Sequence, residues 1–285
     1  MSITIVHDNY GKERVRLMKV ARRGAQHEIQ EVTVRIALEG EFTEIHTVGD
    51  NSQCLPTDTM KNTVYVLAHQ TQEIEEIESF AMRLATHFLA NNPQVTRVII
   101  NIAEHGWTRI AISEEPHPHS FTKSGDEKRT TRINATRDGG VTVESGIEDL
   151  IVLKTTRSGF AGFIKDEYTT LPETTDRIFA TSVKASWQYV NPEAATGNVW
   201  QSVRKTIIET FSAHDSLSVQ HTLYGMGKAV LENFSEIVEI SFSLPNIHYL
   251  PVDVSRFGLE NDNRIFLPTD EPHGLIEARL TREKD

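Results

Sequence analysis

The sequence predicts an α+β fold in two tandem units, residues 1–137 and 138–285, each an antiparallel four-stranded sheet with two helices on one face. Three observations lead to it. Segments of strand and helix periodicity follow one another in the same order in both halves. The strand segments alternate, so each offers one apolar face for helices to cover. A polar stretch with Gly, Asp and Lys, from Lys123 to Gly140, separates the halves and reads as loops. The halves share no residue-level identity, so the repetition is one of element order alone.

The elements follow in turn. "RVRLMKV" (Arg14 to Val20) alternates, and "EVTVRIAL" puts Val32, Val34, Ile36 and Leu38 on one side with Thr33 and Arg35 on the other. A helix is expected near Asp58 to His69. A second, in "EIEEIESFAMRLATHFLANNP", aligns Ile74, Ile77, Phe80, Ala81, Leu84 and Phe88 and stops at Pro93. "QVTRVIINIA" and "WTRIAI" read as a pair of strands. In the second half, "GIEDLIVLKTT" is a strand, and "RIFATSVKASWQYV" alternates through Phe179, Thr181, Val183, Ala185, Trp187 and Tyr189. Two helices follow: one carries Val199, Val203, Ile207 and Phe211, the next Val219, Leu223, Met226, Val230 and Phe234. "EIVEISFSL" closes as a strand, with a further one expected near Val252. A sheet covered by helices on one face has a second face to hide. Strands this long can join edge to edge between chains and close a barrel-like oligomer, which removes exposed edges.

Composition narrows the function classes. The 285 residues are 38% apolar and 24% charged, enough to bury a substantial core. No run approaches the ~18 apolar residues of a membrane helix. The N-terminal "MSITIVHDNYGKERV" lacks the features of a signal peptide, and "LTREKD" is not a peroxisomal address. The single cysteine, Cys54, fits a reducing compartment, so the expected location is cytoplasmic with no membrane partner. Twenty-nine basic against forty acidic residues, a net charge of −11, argue against a nucleic-acid partner. Lys128, Arg129 and Arg132 form a local basic run but sit among carboxylates and read as solvated loop charges. A small anionic ligand stays compatible, given an Arg or Lys in its site.

Common site motifs are missing: no strand leads into G-x-G-x-x-G, and there is no P-loop or G-x-S-x-G elbow. "YGMGKAV" (Tyr224 to Val230) lies inside a helical pattern and reads as a close packing spot. "PHPHSF" places His117 and His119 on one side of a strand, where two imidazoles can share a zinc with His105 as a third ligand. Its other reading is a loop stiffened by Pro116 and Pro118. Without cysteine partners or H-E-x-x-H, no metal is expected. "LPTDTMKNTVYVL" leaves two readings open: Thr57 or Asp58 caps a helix, or both side chains are kept for chemistry.

Six separated segments, taken together, resemble urate oxidase (uricase), of the tunnelling-fold superfamily. They are "YGKERVRLMKV", "TDTMKNTVY", "PHPHSF", "GFIKDEYTTLPETTDRI", "SVQHTLY" and "SLPNIHY", in family order, and the likeness runs from Tyr10 to Ala278. The lysine of the Y-G-K motif falls on Lys12, and the threonine and aspartate of T-D on Thr57 and Asp58. The ring-stacking phenylalanine matches Phe160, and the arginine before the following strand matches Arg177. S-V-Q supplies Val219 and Gln220; L-P-N-x-H supplies Asn246 and His248. Ile247 stands where many relatives have lysine, Gly106 where some have arginine, and the peroxisomal tail is missing.

The resemblance implies oxidation of urate by O2 to 5-hydroxyisourate and hydrogen peroxide in purine degradation, with no flavin or metal. It also implies a homotetramer with sites shared between subunits. Urate is a flat anion with hydrogen-bonding edges, and the matched side chains suit it. Arg177 offers a planar fork, Gln220 an amide donor and acceptor, Val219 a backbone N–H and Phe160 a ring to stack on. A neutral Lys12 would take a proton through the Thr57 hydroxyl, with His248 completing the relay; burial or a nearby cation such as Arg177 would favour the neutral amine. Asn246 would hold oxygen, peroxide or water above the ring. Taken singly, each residue has an ordinary reading: Lys12 a solvated strand end, Arg177 a surface ion pair, Phe160 core, Gln220 a polar helix position, Asn246 a turn, His248 an exposed imidazole. Two other functions use the same architecture: a zinc-dependent tunnelling-fold enzyme acting on a purine or pterin, and a catalytically inactive oligomeric binding protein.

Overall fold

The structure is a computed structural model describing residues 3–269 and 271–282. The last three residues of "LTREKD", read above as lacking an address signal, lie outside the described residues. The chain is α+β, in the order β1 (Tyr10–Arg23), β2 (Gln26–Gly40), α1 (Thr43–Thr47), α2 (Thr57–Gln70), α3 (Ile77–Asn91), β3 (Val95–Ile112), β4 (Glu115–Thr136), β5 (Val141–Lys154), β6 (Phe179–Tyr189), α4 (Gly197–Ala213), α5 (Val219–Asn233), β7 (Ile237–Pro251), β8 (Phe266–Thr269) and β9 (Leu275–Thr281). Two compact units emerge. The first holds the residues up to Gly146 together with Gln188–Gly197; the second holds Ile147–Trp187 and the residues from Asn198 on.

In the first unit β1, β2, β3 and β4 neighbour one another in sequence order, all antiparallel. The alternation read in β2 is what buries it. Val32, Val34, Ile36 and Leu38 are all within 1% of complete burial, facing the helices that pack on this sheet, α2 against β1 and α3 against β3 and β4. Those helices contribute Met60, Val64, Ile77, Phe80, Ala81, Leu84 and Phe88, and truncating a fully buried phenylalanine such as Phe88 costs about 3–5 kcal/mol. α3 begins at Ile77 rather than at Glu73, because the backbone at the N-cap Glu76 is non-helical (φ −58°, ψ 139°), leaving Ile74 outside the helix.

Three expectations need correction. The expected pair "QVTRVIINIA" and "WTRIAI" is one long strand, β3, whose register slips between His105 and Trp107. Lys123 to Thr136, read as loops, is strand throughout. Residues 122–126 are exposed, so no apolar alternation marks them; Thr122 and Lys123 pair with Thr108 and Trp107 of β3. Arg129, read as a solvated charge, is held by Glu76 and Glu78 at 2.6 Å, and the Ser145 hydroxyl donates to Glu78 at 2.6 Å.

On the sheet face away from the helices, Glu31 of β2 is buried and accepts from Lys123 (2.8 Å), Trp107 Nε1 (2.8 Å) and Arg16 Nε (2.8 Å). The Lys123 ammonium, then the Trp107 and Arg16 donors, hold its carboxyl near about 2 against burial, which acts the other way. A depressed carboxyl stabilises the fold above its unfolded value and loses that contribution as pH falls through its folded value. With exposed Arg16 and Lys123 screened by water, the contribution is on the order of 2 kcal/mol. Urea midpoints should therefore fall between about pH 4.5 and about pH 2 more steeply in the wild type than in Glu31→Gln; parallel profiles would refute this.

In the second unit β6 buries Phe179, Thr181, Val183, Ala185 and Trp187 as its alternation predicts. α4 buries Val203, Ile207 and Phe211, and α5 buries Val219, Leu223, Met226 and Val230. Gly227 is the close packing spot expected in "YGMGKAV": a Cβ there would lie 2.8 Å from a Leu280 methyl. β7 pairs with β9 through Glu239–Pro245 and then with β8 through His248–Pro251. The strand expected near Val252 lies further on, as β8 and β9; Val252 itself donates its N–H to Ile265 O at 3.0 Å and accepts from Asn261 Nδ2 at 2.7 Å.

Candidate active site

Lys12, Thr57 and Asp58 belong to the first unit, and Phe160, Arg177, Val219, Gln220, Asn246 and His248 to the second. Lys12 is half-buried at the start of β1. Its neighbours explain the Y-G-K spacing. The Tyr10 hydroxyl accepts from Leu55 N–H at 2.8 Å, and its ring meets the edge of Phe42. A Cβ at Gly11 would lie 1.8 Å from Ile36 O, so the close approach of β1 to β2 demands glycine. Directly after Lys12 the ladder slips, with Arg14 at φ 57°, a bulge of the kind that re-aims a strand side chain.

At the head of α2 the N-cap is Pro56, which has no side-chain acceptor, and Thr57 is the first helical residue. The capping reading is thereby corrected. Among the described residues the Thr57 hydroxyl makes no hydrogen bond and is left open. The exposed Asp58 carboxylate turns onto Lys61 and onto Asn62 Nδ2 (3.0 Å). Lys61 holds that carboxyl below the usual range by hydrogen bond and charge, with Asn62 and the charge of Lys12 adding to it. Lys12 thus stands within electrostatic reach of Asp58.

The second unit brings four site residues together through its backbone. The stretch from Arg157 to Phe160 lies between two others: Gly159 N–H donates to Ser216 O (2.8 Å), while Arg177 N–H donates to Ser158 O (2.7 Å) and Phe160 N–H to Thr174 O (2.7 Å). Asp176 locks the turn before Arg177 by accepting from Arg157 N–H (2.8 Å) and the Thr156 hydroxyl. The Arg177 guanidinium stands 5.6 Å from the Phe160 ring centre. It is half-buried, burial pushes its pKa down, and its Nε is enclosed without a hydrogen-bond partner. Among the described residues no carboxylate pairs with it. Burying an unpaired cation is costly, which marks this place as one suited to an anion. From Ser216 the chain enters α5, where Ser218 is the N-cap, Val219 the first helical residue and Gln220, exposed, the second. The first N–H groups of a helix have no internal acceptor, so Val219 N–H is available to a ligand.

Asn246 and His248 are half-buried on β7, where the strand exchanges β9 for β8 as its partner. Asn246 N–H is satisfied by Gly274 O at 2.8 Å, and the Thr181 hydroxyl donates to Pro245 O at 2.8 Å, tying this point to β6. Among the described residues no hydrogen bond joins Asn246 or His248 to Arg177, or Lys12 to Thr57. The His117 and His119 rings lie 4.6 Å apart, but His105 Nε2 is engaged by the Thr33 hydroxyl (2.8 Å). Among the described residues no three His, Cys, Asp or Glu side chains are grouped to hold a metal. A cavity of about 770 Å³ between β1 and the end of α2 contains Lys19, Tyr65 and His69 and none of the expected site residues.

Several contributors escaped the sequence reading. Phe163 stacks on Phe160 at 4.8 Å and 13°; the repeated phenylalanine of "SGFAGF" is the signal that points to it. Asp176 is legible only as the residue before Arg177. Gly11 is quoted within Y-G-K, but its steric role needs the partner strand.

The protein-family model described as uricase matches residues 8–134 and 143–277. The chain is 39% identical over 300 residues to the uricase of Cyberlindnera jadinii, covering 100% of this chain and 99% of that one. It is 43% identical over 281 residues to the uricase of Arthrobacter globiformis, covering 99% and 91% respectively. The crystal structure of uricase from Arthrobacter globiformis superimposes with a TM-score of 0.94 at 42% identity, covering 100% of this chain and 97% of that one. Family match, full-length likeness and fold agree, and the chain belongs to the uricase family.

Proposed function

We infer that this chain is a urate oxidase, and that it oxidises urate with O2 to 5-hydroxyisourate and hydrogen peroxide without a cofactor. The observation that carries the reading is the half-buried Arg177 guanidinium with its enclosed, unpartnered Nε beside the Phe160 ring. A flat anion satisfies both at once: its edge accepts from the guanidinium and its face lies on the ring. Val219 N–H and Gln220 supply further edge contacts from the α5 N-terminus. Asp58, whose carboxylate turns onto Lys61 and Asn62 within α2, is carried over as a further substrate-binding residue.

Two electrons and two protons pass from urate to O2, giving hydrogen peroxide, and water adds to the oxidised ring to supply the hydroxyl. Thr57 passes a urate proton to Lys12, and His248 completes the relay. Thr57 suits this role because its hydroxyl is not spent on capping α2. Asn246, at the partner switch of β7, holds oxygen or water above the ring. Because urate supplies the electrons, the residues need only bind, orient and move protons, and orientation alone is worth a large part of the barrier.

We also propose two tandem tunnelling-fold units, residues 1–137 and 138–285, assembled as a barrel-like homotetramer in the cytoplasm, with each site completed by two subunits. Among the described residues β1 ends the strand order with one edge unpaired, which supports edge-to-edge assembly. Among the described residues no helix is long and apolar enough to cross a membrane. The test is purified, chelator-treated protein given urate in oxygenated buffer, following urate absorbance and peroxide. Both signals should change in equal amounts; absence of turnover would overturn the reading.

A further inference from the structure

We propose that His214 is a positioning residue for the N-terminus of α5, acting through His221 and through the bare backbone at Gly225. This rests on the reading that Val219 and Gln220 bind urate.

His214 directly follows α4, and its backbone is anchored on both sides. Its N–H donates to Thr210 O at 3.0 Å, and its carbonyl accepts from the Lys154 ammonium. The side chain reaches across to α5. Its ring lies 4.3 Å from that of His221, and His214 Nε2 is 3.1 Å from His221 Nδ1. Leu217 N–H is also aimed at His221 Nδ1, at 3.5 Å. That nitrogen therefore presents its lone pair, and His214 donates from Nε2. His221 N–H in turn donates to the Ser218 hydroxyl at 3.1 Å, the N-cap bond of α5. One chain of contacts thus runs from His214 through His221 to the cap immediately before Val219.

The second contact is steric. A Cβ at Gly225 would lie 3.3 Å from His214 Cε1 and 3.4 Å from Nδ1, so the imidazole rests against the helix backbone where glycine leaves room. The ring sits as a wedge between the end of α4 and the first two turns of α5. Ser216 and Thr222 tie the same loop from the buried side, at 2.7 Å between hydroxyls. With both sides held, Val219 N–H and the Gln220 side chain keep one direction, and preorganised donors bind more tightly than donors that must be ordered.

Wild type, His214→Ala, His214→Gln and Gly225→Ala should be compared for urate kinetics, for the Kd of an unreactive urate analogue, and for thermal unfolding. His214→Ala and Gly225→Ala should raise KM and Kd about three- to tenfold, the scale of one hydrogen bond, with kcat within about twofold. His214→Gln, whose carboxamide N–H can replace Nε2–H, should return both to within about twofold of wild type. Unchanged KM and Kd, an equal fall in kcat, or failure of glutamine to rescue would overturn the proposal. If His214→Ala does not fold, Gly225→Ala and His214→Gln decide by the same criteria. A wild type that turns over urate with variants that match it sinks this inference alone; a wild type without turnover sinks the urate reading, and this one with it.

Discussion

Replacing Lys12 with methionine will lower kcat by roughly 10²–10⁴-fold while moving the Kd of an unreactive urate analogue by less than about fivefold. Methionine keeps length and apolar bulk but cannot accept or return a proton. The position tolerates the change structurally: Lys12 is half-buried, and the neighbouring bulge and Gly11 contact are backbone features. Stopped-flow turnover and calorimetric titration measure the two quantities separately. A loss of affinity as large as the loss of kcat would mean that Lys12 holds the substrate rather than moves its proton. Thr57→Ala should show the same pattern at smaller amplitude, since water can replace a hydroxyl in a relay.

Arg177→Ala will act the other way round, weakening analogue binding by about 10–100-fold, the scale of losing charge-assisted hydrogen bonds to an anion. In the folded chain the guanidinium is half-buried with its Nε enclosed and unpartnered, so its removal should leave the melting temperature unchanged or raise it, because a partly desolvated, unpaired charge is deleted. This combination is diagnostic. A structural arginine, paired and load-sharing, would lose stability on truncation and leave analogue affinity alone. Arg177→Lys should recover little of the affinity, because an ammonium cannot reproduce the planar fork.

Legibility differed from element to element, for physical reasons. β2 and β6 were read residue by residue because each buries one face, and burial writes a period of two into the sequence. The same holds for the faces of α3, α4 and α5. β4 failed because its outer part is exposed and is held by hydrogen bonds to β3, which leave no mark on side-chain polarity. Arg129 was misread for the same reason: its carboxylate partners stand on a helix some fifty residues away in the chain. At the site, residue types were legible because each motif is short and contiguous. Their environments were not.

From the sequence alone came the family, through motifs whose order and identity survive without any knowledge of packing, and the α+β class, through local periodicity. Only the tertiary structure decided that Pro56 rather than Thr57 caps α2, that Arg177 is enclosed without a counter-charge, that Phe163 occupies one face of Phe160, and that Asn246 lies where β7 changes partners. Desolvation, ring stacking and strand pairing are made between residues remote in the chain, and no local pattern records which of them meet.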